Sequence, residues 1–140
     1  MFKRIIIGGF ALTALLTLGG LQAAEKAPSA PYSDAVRVDN MLYLSGKLGY
    51  LPESRKLAPG GIQGETRQAL ENIKAILEQN GSEMSKVVKC TVFLADIAEW
   101  SAMNEVYRTF FPANPPARSA VGVDLGGGAR IEIECMARVH

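Results

Sequence analysis

The chain has 140 residues, 48% of them hydrophobic and 21% charged, with a formal net charge of +1. That length holds one domain and no more. The composition excludes wholesale disorder, and the near-neutral balance gives no reason to expect nucleic acid as a partner.

Lys3 and Arg4 form a short basic stretch, Ile5 to Leu18 is an apolar run, and Leu21-Gln22-Ala23 ends in a small residue. This is the three-part layout of a secretory signal over residues 1–23, with cleavage after Ala23 and a periplasmic or secreted mature protein. A retained membrane anchor is the alternative, because the run almost reaches a bilayer's thickness. Cleavage is preferred, since no cationic stop-transfer cluster follows. Removing Lys3 and Arg4 leaves 13 cations against 14 anions. Residues 24–31 read as a polar, proline-containing linker, and residues 32–140 as the domain.

Tyr32 to Val38 and Met41 to Ser45 read as two strands joined at Asp39-Asn40, residues that tolerate the positive φ of a hairpin turn. Leu51 to Gly61, with Pro52 and Pro59, is a loop that has room for a short strand near Leu57. In Glu65 to Asn80, Ala69, Leu70, Ile73, Ile76 and Leu77 make one helical stripe, and Gly81 ends the helix. Val87 to Leu94 is a strand with Val88, Cys90, Val92 and Leu94 on one face.

Asp96 resembles an N-cap with Glu99 in capping-box register. The helix that follows carries Ile97, Trp100, Met103, Tyr107 and Phe110 on one side, and Pro112, Pro115 and Pro116 prevent its continuation. Arg118 to Val123 and Arg130 to Val139 are strands on either side of Gly126-Gly127-Gly128. The order β-β-(β)-α-β-α-β-β predicts an α+β domain with two helices on one face of a mixed sheet. The other face then lacks a cover within one chain, which points to an oligomer.

Cys90 and Cys135 lie in strands at positions that alternate with apolar residues, so they read as small buried hydrophobes. Export leaves a disulfide open to them. His140 is the single histidine and neither cysteine has a partner at ligand spacing, so no metal site is expected.

Several motifs together resemble the Rid (reactive intermediate deaminase, YjgF-like) family. They are Tyr43-Leu44-Ser45-Gly46, Gln68 to Ile73, Val87-Val88-Lys89, Asn104 to Tyr107, Pro116-Ala117-Arg118-Ser119 and Ile131-Glu132-Ile133-Glu134, in this order and at nearly the family spacing. The match runs from about Tyr32 to the end. The resemblance implies a chorismate-mutase-like fold and a homotrimer whose sheets form a central barrel, with active sites in the clefts between subunits. It also implies cofactor-free hydrolysis of 2-iminobutanoate and 2-iminopropanoate to 2-oxo acids and ammonia. Arg118 stands at the arginine that distinguishes the deaminase branch.

In that reading Arg118 grips the substrate carboxylate with two parallel hydrogen bonds, a task suited to a planar guanidinium. Glu132 takes the position of the water-orienting glutamate and relays protons. Tyr32, Ser45, Asn104 and Tyr107 match positions that line the pocket, while core packing is an equally natural use of Tyr107. Ala120 stands where some members carry cysteine and acts through its backbone. Lys47 replaces the usual glutamine, placing an added cation near the pocket, and Leu125-Gly126 replaces Leu-Pro with the connection one residue shorter. A non-catalytic trimer that captures small carboxylates is the rival reading. Ribonuclease or translation-inhibitor activity, attached to parts of the family, lacks the basic patch it would need here.

Overall fold

The computed structural model describes residues 30–139. The expected signal, most of the linker and His140 lie outside the described residues. Six strands and two helices follow in the expected order: β1 (Ala35–Val38), β2 (Met41–Leu44), β3 (Lys47–Leu48), α1 (Gly61–Gln79), β4 (Val87–Leu94), α2 (Trp100–Phe110), β5 (Ala117–Gly122) and β6 (Ile131–Arg138). The strands form one mixed sheet in the order β1-β2-β6-β4-β5, with β3 beside β6. The β4–β5 pair is parallel and the other pairs are antiparallel. The fold is α+β.

Both helices cover one face. The periodic residues of α1, Ala69, Leu70, Ile73 and Leu77, are fully buried against Leu42, Cys90, Val92, Leu94, Ile131, Ile133 and Ala137 of the sheet. Period-2 alternation sends one side of each strand into this core and the other outward. On the outer face Val36 opposes Tyr43 and Tyr43 opposes Met136, an apolar row left exposed. Val121 adds to that face from β5. Among the described residues no helix is long and apolar enough to cross a membrane.

Several local expectations shift. The third strand is Lys47–Leu48, and Leu57 makes only an isolated bridge to Tyr50. β1 begins at Ala35, so Tyr32 to Asp34 approach the sheet without joining it. At the β1–β2 turn only Asp39 takes positive φ, 52°. A bulge between Val87 and Lys89 moves Val88 out of register, so Val87 shares the core face with Cys90, Val92 and Leu94 while Val88 is exposed. An extra residue in one strand resets the alternation downstream of it. Asp96 caps the turn before α2 by accepting from the Ala98 N–H, but Glu99 does not complete a capping box. Its carboxylate instead accepts from Arg130 at 2.5 Å.

The cysteines require a correction. Cys90 and Cys135 face one another across the β4–β6 ladder with Cα atoms 4.1 Å apart, and they form a disulfide. Each looks like a lone small hydrophobe along its own strand. The antiparallel register of two strands distant in sequence makes them a pair.

Candidate active site

Arg118 lies on β5, the edge strand, beside Cys90 of β4. Cys90 points into the core, so Arg118 leaves the sheet on the helix-covered side and runs under α2. Trp100, Met103, Asn104 and Tyr107 fall at i, i+3, i+4 and i+7 of α2 and make a single stripe above it. Arg118 Nη1 donates to Asn104 Oδ1 at 2.7 Å and lies 3.9 Å from Met103 Sδ. The guanidinium carbon sits 4.7 Å from the Tyr107 ring centroid and 5.6 Å from that of Trp100. These are cation–π distances.

The two ion pairs of the described residues, Lys47–Asp34 and Arg130–Glu99, do not involve Arg118. The half-buried guanidinium is therefore held by a neutral amide and aromatic faces, with its charge uncompensated and donors to spare. Such an arrangement is prepared for an anion, above all a carboxylate that accepts two parallel hydrogen bonds.

Tyr107 closes the inner end. It is 6% exposed, packs tilted against Phe111 with ring centroids 4.9 Å apart, and its buried hydroxyl has no hydrogen-bond partner. Burial pushes the phenol up to about 12, opposed in part by the positive charge of Arg118. The ring thus serves core and pocket at once. Ala120, two residues after Arg118 on the same side of β5, packs against the core beside Val92.

The remaining predicted site residues gather elsewhere. Glu132 opposes Phe93, which alternates with the buried Val92 and Leu94, so Glu132 projects onto the open face of the sheet. The backbone at Gly46 passes directly over its carboxylate. A Cβ on Gly46 would collide with the Glu132 side chain and force its carboxylate to shift. Ser45, one residue earlier, donates through Oγ to Ser33 O at 2.6 Å and through its N–H to Asp34 O at 3.0 Å. These bonds fix the approach of the 63% exposed Tyr32. One chain therefore brings Arg118 together with Asn104 and Tyr107, with Ala120 on the same side of β5, and separately places Ser45 next to the Gly46 that covers Glu132, with Tyr32 on the segment that Ser45 holds.

Residues 23–139 match the family described as Endoribonuclease L-PSP. The chain belongs to this family, the YjgF/Rid group. It is 50% identical over 118 residues to the 2-iminobutanoate/2-iminopropanoate deaminase of Capra hircus, covering 82% of this chain and 86% of that protein. The Reactive Intermediate Deaminase A, chloroplastic, of Arabidopsis thaliana is 45% identical, and there the match spans 63% of its length. Among solved structures, E. coli TdcF with bound serine superposes with a TM-score of 0.75 at 33% identity, over 81% of this chain and 91% of that one.

Two features of this Rid-family site escaped sequence reasoning. Trp100 flanks Arg118, although its helical spacing marked it only as part of an apolar stripe. Lys47, the residue that departs from the family pattern, belongs to the side of β3 that faces the core, because it opposes Ile133. There it pairs with Asp34, so its charge is neutralised locally. No group of three or more His, Cys, Asp or Glu able to hold a metal occurs among the described residues.

Proposed function

We propose that this protein hydrolyses 2-imino acids, including 2-iminobutanoate and 2-iminopropanoate, to 2-oxo acids and ammonia. The observation that carries the reading is Arg118: a half-buried guanidinium, oriented by Asn104 and two aromatic rings, with no carboxylate of its own. The deaminase names of the relatives support the reaction class. The serine held by TdcF is a ligand with the same carboxylate handle.

The substrate carboxylate binds Arg118. Glu132 orients a water molecule and takes its proton as the oxygen adds to the imine carbon, giving a carbinolamine. The same carboxyl then returns that proton to nitrogen. The carbinolamine hydroxyl then gives up its own proton, which the carboxyl passes to the amine as the C–N bond breaks, so the carbonyl forms and ammonia leaves. Water and imine are consumed, a 2-oxo acid and ammonia appear, and no electrons are transferred.

Since Arg118 and Glu132 lie on opposite faces within a chain, this chemistry needs a neighbouring copy to supply one of them. A homotrimer that covers the open sheet faces and sets Tyr32, Ser45 and Glu132 of one copy against Arg118 of the next meets that need. The exposed row Val36, Tyr43 and Met136 supports burial of this face. Without such docking, Arg118 would remain a carboxylate-binding site lacking a catalytic base, and that is the second reading.

Export to an oxidising compartment is part of the proposal. It rests on the layout of residues 1–23, and a buried disulfide is in keeping with it. The decisive assay follows imines freshly generated by an amino-acid oxidase or dehydratase. The protein is expected to shorten their lifetime below that of spontaneous hydrolysis. An unchanged lifetime combined with measurable binding of small carboxylates would favour the second reading.

A further inference from the structure

We propose that Trp100, with Ile97 one turn before it, reads the substrate's side chain, and that the site prefers 2-imino acids with bulky apolar side chains over the three- and four-carbon ones. This rests on the reading of Arg118 as the carboxylate anchor. It adds a chemical identity for the rest of the substrate.

The two ends of the α2 stripe differ. Met103 is fully buried and Tyr107 nearly so, which closes the groove over the guanidinium on one side. In a single chain Trp100 is 37% exposed and Ile97 50% exposed, so the other side presents apolar surface to the cleft where, in the proposed trimer, a neighbouring copy docks. Arg118 Nη1 is engaged by Asn104, so a carboxylate uses the donors left over. Carbon 2 of the substrate lies one bond beyond that carboxylate, and its substituents extend out of the closed end. Carbon 2 must be open to water and the imine nitrogen to a proton donor, and the carbon chain is left to run along the indole. A flat apolar wall of this size rewards added methylenes and aromatic rings by removing them from water. It offers nothing to a charged side chain.

The bland role for Trp100 is to hold Arg118 in place by cation–π contact. The two roles separate on substrate dependence. A positioning role affects every substrate by the same factor, whereas a reading role affects long side chains more than short ones.

The test compares kcat/KM for imines generated in situ from leucine, phenylalanine and alanine, using the wild-type full-length protein, Trp100→Ala and Trp100→Phe. Wild type is expected to favour the leucine- and phenylalanine-derived imines. Trp100→Ala should cut their kcat/KM by roughly 10-fold or more, the usual worth of one or two lost apolar contacts. The alanine-derived imine should lose only the share that comes from loosening Arg118, several-fold less than the leucine- and phenylalanine-derived imines lose, and Trp100→Phe should restore most of the difference. A uniform loss across the three imines, or a wild-type preference for the alanine-derived one, overturns the inference while leaving hydrolysis itself intact. Absence of turnover for every imine instead removes the parent reading, and this one with it. Trp100 stands at the first turn of α2 outside the buried core cluster, so its replacement leaves that cluster intact.

Discussion

Arg118 and Glu132 leave the same sheet from opposite faces, with one strand, β4, between theirs. No rotamer change brings their head groups together in one chain, because the sheet itself stands in the way. Complementation between inactive variants follows. Arg118→Ala and Glu132→Gln are each expected to be nearly inactive. When the two are unfolded and refolded together, a random mixture should recover up to about one quarter of wild-type activity, since that fraction of contacts pairs an intact Arg118 with an intact Glu132. If mixing recovers nothing while native mass spectrometry shows mixed trimers, the composite site is wrong.

Truncating Arg118 removes the charge-assisted anchor from a partly desolvated pocket. Arg118→Ala is expected to lose about 3–5 kcal/mol of transition-state stabilisation, on the order of 10²–10³-fold or more in kcat/KM. Arg118→Lys should restore little, since an ammonium cannot reproduce the planar two-donor edge. Asn104→Ala frees the guanidinium to swing but keeps its charge, so its main effect should be on KM. Glu132→Gln should lose about 10²–10⁴-fold in rate with binding preserved, and Glu134→Gln should be much milder. Steady-state kinetics on each variant decides.

Tyr107 gives a prediction in alkaline solution. Its phenol sits at about 12 in the folded protein against an ordinary value of 10.0. Between those values the unfolded chain ionises and the folded one does not, so folding stability falls as pH rises through that window. Below pH 10 the contribution is fully present. Tyr107→Phe should flatten the decline in stability between pH 10 and 12, as read by urea denaturation at fixed pH values. An unchanged slope would contradict a buried, un-ionised phenol.

The disulfide should contribute to stability and not to chemistry. Closing a loop of 45 residues restricts the unfolded chain by about 4 kcal/mol in the entropy model, and real bridges often deliver less. Reduction, or Cys90→Ala with Cys135→Ala, is expected to lower Tm by on the order of 10 °C while leaving kcat at ambient temperature within about 2-fold. Mass spectrometry of the non-reduced protein checks the bond directly.

N-terminal sequencing of protein purified from its native host is expected to read from Ala24 or within a residue or two of it. An intact Met1 in a cytoplasmic fraction would end the export proposal.

The two helices and the strands that bury one face were legible in the chain because hydrophobic periodicity is a local signal. Ala69, Leu70, Ile73 and Leu77 repeat at helical spacing, and Ile131, Ile133 and Cys135 alternate. What escaped depends on register between distant segments. A bulge at Val88 leaves no mark on a run of Val and Lys. Lys47–Leu48 is too short to show a period and becomes a strand only because β6 offers it a free edge. Cys90 and Cys135 become a pair only once β4 and β6 align. The motif singles out Arg118 as the proposed carboxylate anchor. Its caging by Trp100 is not legible there, since a helical stripe does not announce which of its members meets the rim. Nor does alternation within β5 and β6 separately say that Arg118 and Glu132 occupy opposite faces.

The Cys90–Cys135 bond also makes a covalent ring of the chain between them. Trp100, Met103, Asn104, Tyr107, Arg118, Ala120 and Glu132 all lie on that ring, while Tyr32 and Ser45 hang outside it. A single protease cut anywhere from Thr91 to Glu134 opens the ring without releasing a fragment. The two pieces stay tethered through the sulfurs and keep β4 and β6 in register. In a compartment rich in proteases, a cut in the exposed residues after α2 would thus leave both sides of the Arg118 site on one molecule.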